Sequence, residues 1–245
     1  MRRIKLILEY DGTGFHGWQF QPGLRTVQGV LVDALQKMTN EKIKLIAAGR
    51  TDAGVHALAQ VAHFNTASTI PLDGFLNGLN SLLPDDLVVK DVKDVGQEFH
   101  AQRSAIGKRY LYRILNRALP SAIDRFRVWH IPTILDIYKM SEGCKYLIGK
   151  HDFSSFRASG SEIRGSVREI FEIKINKEKE DFINIIIFAN GFLKQMARNI
   201  VGTLVEIGTS KYPPKYIKEI LEAKDREKAG PTAPPYGLYL LEVVY

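Results

Sequence analysis

One order of elements occurs twice along this chain, and it restricts the fold more than any other feature. Residues 3–10, RIKLILEY, alternate as a strand and run into the loop DGTGFHGWQFQPG. A helix follows, with Thr26 as its expected N-cap and Leu31, Leu35 and Met38 along one stripe. IKLIAA and LAQVAHFNT read as strands, Pro71 to Ser81 as a short helix and LVVKDV as a strand, which makes the first half β-α-β-β-α-β. The second half repeats that order with strand KRYLYRIL, helix 135–147, strands VREIFEIKIN and FINIIIFA, helix 191–208 and strand LYLLEVVY. An extra helix near Pro214 to Ala223 and the Pro-rich loop GPTAPPYG precede the last strand. Two such split β-α-β units predict an α+β protein with a mostly antiparallel central sheet, joined edge to edge, helices on one side and a cleft on the other. The expected halves are residues 1–105 and 106–245; they share element order and not sequence.

With 245 residues and 45% apolar content, the chain can bury a sizeable core as one large domain or two fused halves. A single cysteine, Cys144, excludes an internal disulfide framework, and no Cys/His spacing suits a metal cage. The apolar run before Glu9 is too short for a signal-peptide core or a membrane span, so a soluble cytoplasmic protein without bound metal is expected. The net charge of +7 is uneven. Residues 1–105 hold 11 basic and 11 acidic side chains, which leaves 23 of the 34 basic and 16 of the 27 acidic for residues 106–245. Between Lys108 and Arg127 lie Lys108, Arg109, Arg113, Arg117, Arg125 and Arg127 against Asp124 alone. Such a cluster suits a phosphate backbone, although a solvated basic face has the same composition.

The chemistry-bearing stretch is AAGRTDAGVHA, residues 47–57. It lies between two strands, so its side chains stand on a turn at a sheet edge. Asp52 has two readings there: a turn residue accepting backbone N–H bonds, the commoner use of Asp in such a place, or a catalytic carboxylate. Arg50 and Asp52 are two apart and face the same way on an extended stretch. In GFLKQMARNIVGTLVEIG, Phe192, Met196, Ile200, Leu204 and Ile207 form a core stripe, and Arg198 falls beside it, where a guanidinium could orient a carboxylate and keep it ionised. On GKRYLYRI, Lys108, Tyr110 and Tyr112 share one face, with Arg109, Leu111 and Arg113 opposite. A tyrosine beside cations can stack on a base, and Arg157, Arg164 and Arg168 are further candidates for an RNA grip. YDGTGFHGWQFQPG matches neither the dinucleotide fingerprint nor the P-loop.

Taken together, YDGTGFHGWQ, TVQG, AAGRTDAGVHA, FHAQRSAIGKRYLYRI, HDFSSFRA, FLKQMARNIVGTLVEIG and APPYGLYLLEV resemble the tRNA pseudouridine synthase A family nearly end to end. That resemblance implies the pseudouridine synthase fold and a homodimer. It also implies conversion of uridine to pseudouridine at positions 38, 39 and 40, on the 3′ side of the tRNA anticodon stem-loop, with no cofactor or metal. By the GRTD match Asp52 takes the catalytic role, and by the KRYLY match Tyr110 stacks on the target uracil. Arg50 resembles the arginine that helps evert the base, and Arg198, in MARNIVG, the arginine that pairs with the aspartate. Lys108, Arg109, Arg157, Arg164 and Arg168 are the expected RNA contacts.

Two other readings compete. Duplicated ferredoxin-like halves with sheet aromatics also describe tandem RNA-recognition domains without catalysis, but the expected glycine and aromatic run is absent from the inner strands, and Asp52 would place a negative charge against phosphate. A glycosidase needs a second carboxylate; Asp11 is the nearby contender and reads better as a turn cap. The charge-rich segment 213–235 has no role that the sequence assigns.

Overall fold

Alternating burial along the strands is the local rule that builds the sheet. In the computed structural model, which describes residues 1–159, 165–178 and 181–245, the chain divides into two compact units. The first comprises Met1–Ile106 with Tyr239–Tyr245, the second Gly107–Leu238.

In the first unit, β1 (Arg2–Tyr10) buries Ile4, Leu6, Leu8 and Tyr10, every second residue, as the pleat requires. It pairs antiparallel with β3 (His56–Thr66) on one side and β4 (Leu87–Val95) on the other. β10 (Leu238–Val244) runs parallel to β3, with Tyr239 opposite His56 and Leu240 opposite Ala57. The final seven residues thus join the first unit and not the segment that precedes them in the chain. Helix α1 (Val27–Thr39) starts where Thr26 Oγ1 accepts the Gly29 N–H at 3.2 Å, and its buried face is Val27, Leu31, Ala34 and Leu35. Met38 is half-buried, against Gly78 of helix α2 (Leu72–Leu82). The expected strand IKLIAA shrinks to β2 (Ile46–Ala47), paired with β3 through Ile46↔His63 and Ala47↔Ala62. Ile43 and Leu45 are buried and Lys44 exposed, so the alternation of this segment records burial and not ladder pairing.

In the second unit, β5 (Gly107–Asn116), β9 (Phe182–Ala189), β8 (Val167–Glu178) and β7 (Gly149–Asp152) form an antiparallel run in that order. The short β6 (Trp129–Ile131) lies parallel to β5, a strand that the sequence pattern does not reveal. Asp136 caps α3 (Ile137–Cys144) by accepting the Lys139 N–H at 3.0 Å, so the helix is shorter than the expected 135–147. Helix α4 (Met196–Gly208) begins five residues later than expected because Gln195 sits at φ 61°, in the left-handed region, and the chain from Gly191 to Gln195 is irregular. Helix α5 (Tyr216–Ala223) follows the two prolines at 213 and 214.

Candidate active site

Asp52 opens a four-residue turn whose closing bond runs from the Val55 N–H to the Asp52 carbonyl at 3.1 Å, with Gly54 at φ 77° supplying the left-handed residue. The Asp52 side chain is half-buried and Arg50 exposed. What holds this turn is the loop after β1. Trp18 N–H donates to the Thr51 carbonyl at 3.0 Å, and Gly54 N–H to the Phe15 carbonyl at 3.4 Å. Gly12 and Gly17 permit the approach: a Cβ on Gly12 would lie 2.1 Å from the Val55 oxygen, and one on Gly17 2.7 Å from the Thr51 oxygen.

Beneath the turn, buried polar groups hold the residues that lead into it. Tyr10 Oη and Thr51 Oγ1 are 2.9 Å apart, and Gln60 Nε2 donates to the Gly49 carbonyl at 2.9 Å. Burial pushes the Tyr10 phenol up to about 12, against the hydrogen bonds from Thr51 and Gln60, so it stays a neutral strut at any working pH. His56 Nδ1 accepts the Gly12 N–H at 3.0 Å while its ring stacks on Tyr239 at 4.6 Å. Asp11 accepts from the Thr13 N–H at 2.9 Å and its Oδ1 lies 3.2 Å from His56 Nδ1, so it is engaged as a cap of the loop. The loop is tied at its far end by Arg25, which grips Asp86 at 2.8 and 2.6 Å and lies over the Phe15 ring at 4.0 Å. Tyr10, Gln60 and His56 were not singled out by sequence; their signal is a polar side chain at an inward-facing position of an otherwise apolar strand.

In the second unit, Tyr110 stands on β5 opposite Ile187 of β9, buried, with Phe192 edge-on at 4.8 Å. Opposed residues of an antiparallel ladder project to the same face. Lys108 faces Ala189, and Ala189 faces Ile170 of β8, so Lys108, Tyr110 and Arg168, two residues before Ile170, share that face. A Cβ on Gly191 would lie 3.5 Å from Arg168 Nε, which seats Arg168 beside the segment that carries Phe192. Burial first, then the Arg168 charge, lowers the Lys108 pKa, and burial lowers that of Arg168. Arg109 points to the opposite face and lies over Phe188 at 4.6 Å. Tyr112 is buried structure: its hydroxyl donates to the Pro234 carbonyl at 2.8 Å, and burial raises its pKa.

Arg198 lies on the first turn of α4, half-buried, with Nε donating to the Ala233 carbonyl at 2.7 Å and its own carbonyl accepting the Ala233 N–H at 3.2 Å. Arg157 is brought to the same helix start: Phe156 O accepts from Asn199 Nδ2 at 2.8 Å, and Ala158 N–H donates to the Lys194 carbonyl at 3.0 Å. Within this unit Tyr110, Arg157 and Arg168 thus border residues 191–199, the segment that carries Arg198, and Lys108 shares the face of Tyr110 and Arg168. Arg164 lies outside the described residues. Among the described residues no His/Cys/Asp/Glu cluster could hold a metal, and no helix is long and apolar enough to cross a membrane.

A family model described as tRNA pseudouridine synthase matches residues 6–102 and 144–245 of the chain. The chain is 51% identical over 245 residues, the whole of both chains, to the tRNA pseudouridine synthase A of Thermoanaerobacter sp. (strain X514). It is 50% identical to that of Caldicellulosiruptor saccharolyticus and 48% to that of Acetivibrio thermocellus, again over 100% of each chain.

Proposed function

The chain belongs to the tRNA pseudouridine synthase family, and on that premise we propose that Asp52 is the carboxylate that opens the nucleoside. The enzyme isomerises uridine to pseudouridine in tRNA. The C1′–N1 bond breaks, the uracil turns over, and C5 bonds to C1′ and then loses its proton. One carboxylate suffices because the departing base is the reactant of the next step, whereas a glycosidase must also activate water. Asp52 either adds to C1′ or removes the 2′ hydrogen to give a glycal; both start from the anion.

The observation that carries this reading is the clamp on the Asp52 turn: Trp18 and Phe15 hold its backbone, Tyr10 and Gln60 hold the Thr51 hydroxyl and the Gly49 carbonyl that lead into it, and the Asp52 side chain keeps part of its exposure. Catalytic groups need such preorganisation, and a mere turn cap does not. Tyr110 stacks on the everted uracil, Arg50 helps draw it from the stem, and Arg198 pairs with the Asp52 carboxylate. Lys108, Arg157 and Arg168, clustered near Tyr110 and Arg198, hold the flanking phosphates; Arg109 and Arg164 are further contacts for the RNA. The substrate region is the anticodon stem-loop at positions 38, 39 and 40, and the enzyme works without cofactor as a cytoplasmic homodimer. Mapping pseudouridine in tRNA from cells with and without the gene tests this: the modification disappears from those positions alone on deletion. Its persistence there would refute the assignment.

A further inference from the structure

Segment 225–235, to which the sequence assigns no role, is pinned along α4 by one arginine. Arg226 Nη1 donates to the carbonyls of Ala229 and Gly230 at 3.2 and 3.0 Å, and its Nη2 to Asn199 Oδ1 and Thr232 Oγ1 at 3.1 and 3.0 Å. Thr232 Oγ1 itself donates to Asn199 Oδ1 at 2.6 Å, and Gly230 N–H donates to Thr203 Oγ1 at 2.9 Å. The strap lies directly on the helix: a Cβ on Gly202 would be 1.7 Å from the Pro231 oxygen, and one on Gly230 2.8 Å from the Thr203 Cα. At the end of this strap Ala233 exchanges two hydrogen bonds with Arg198, one to the backbone carbonyl and one from Nε.

Among the described residues Arg226 meets only neutral acceptors, and burial lowers its pKa. A half-buried cation without a carboxylate is a costly way to hold a loop, since neutral side chains can satisfy the same carbonyls. Its planar fork, however, bonds α4 and three points of the strap at once, which a single flexible amine does not reproduce. We propose that Arg226 is a positioning residue: through Asn199, Thr232 and the strap it fixes the Ala233 carbonyl that holds Arg198 Nε, so that the Nη edge of Arg198 presents one orientation to a carboxylate. The proposal rests on the catalytic role of Arg198 given above.

The test is single-turnover pseudouridine formation on tRNA, with tRNA affinity measured beside it. Arg226→Ala should slow turnover about 10- to 100-fold with affinity changed less than about threefold, and Arg226→Lys should recover only part of the rate. Thr232→Val, which keeps the volume and removes two bonds of the network, should give a smaller loss in the same direction; it decides the matter if Arg226→Ala does not fold. In an Arg198→Lys background, Arg226→Ala or Thr232→Val should cost less than about twofold more, because the group each positions is already gone. Folded variants at wild-type rate, or losses that multiply in full with Arg198→Lys, would overturn the proposal. A wild-type rate in Arg198→Leu would instead strike down the role of Arg198 and the proposal with it.

Discussion

Gly17→Ala separates a loop that merely covers the turn from one that sets the position of Asp52. Gly17 is buried at φ 84°, where an alanine costs roughly 1–2 kcal/mol. Its Cβ would stand 2.7 Å from the Thr51 oxygen and 3.2 Å from the Asp52 carbonyl carbon. Relief to an ordinary contact requires the Thr51–Asp52 peptide to retreat by about 0.7 Å, which adds on the order of 1–3 kcal/mol in a packed site. The stability loss should be about 2–5 kcal/mol in urea denaturation. If a 1 Å misplacement costs about 100-fold, one of about 0.7 Å costs about 25-fold in single-turnover rate, with tRNA affinity unchanged. Gly23→Ala is the matched control. Gly23 has φ 75° with nothing within 4 Å of its Cβ, so it carries the strain without the displacement and should lose stability but keep its rate. Equal rates for the two variants, or a wild-type rate in Gly17→Ala, would refute the claim that the loop positions the carboxylate.

Two further outcomes are expected. Arg198→Leu should disable chemistry far more than RNA binding, by about 100-fold or more against a few-fold in gel shift, and the reverse pattern would contradict an orienting role. His63 is 3% exposed and its Nδ1 accepts the Ala101 N–H at 3.1 Å; burial, then the charges of His100 and Arg3, push its pKa down to about 4. Its neutral form belongs to the folded state, so it stabilises the fold above the unfolded value of 6.5, and that contribution is lost as pH falls toward 4. Wild type should lose up to about 3 kcal/mol over that window through this group, and His63→Gln should show a flatter stability profile by urea midpoint. Parallel profiles would rule this out.

Much of the fold is legible in local pattern. The Thr26 cap, the Leu31 and Leu35 stripe and the alternation of β1 each follow from residues a few positions apart, and the structure has them where that spacing puts them. The late start of α4 is not legible, because nothing in KQMAR announces a left-handed glutamine; tertiary bonds such as Ala158 N–H to the Lys194 carbonyl accompany the irregular path. Asp52, Tyr110 and Arg198 stand out by residue type and neighbours. Their supports do not. Gly12, Gly17 and Gly202 matter only for the carbonyl that sits against each, tens of residues away in the chain, and Arg226 only for a fork that joins three acceptors on its own strap to Asn199 on α4.

The measurement closest to the centre of this account is release of tritium from C5 of labelled uridine in tRNA, by wild type and Asp52→Asn, with tRNA affinity determined for both. The isosteric amide keeps the turn and its clamps but removes the anion. Wild type should release the label at the modified uridines, and Asp52→Asn should release none while binding tRNA within a few-fold of wild type. Release by Asp52→Asn at a rate near wild type would contradict the role given to this carboxylate.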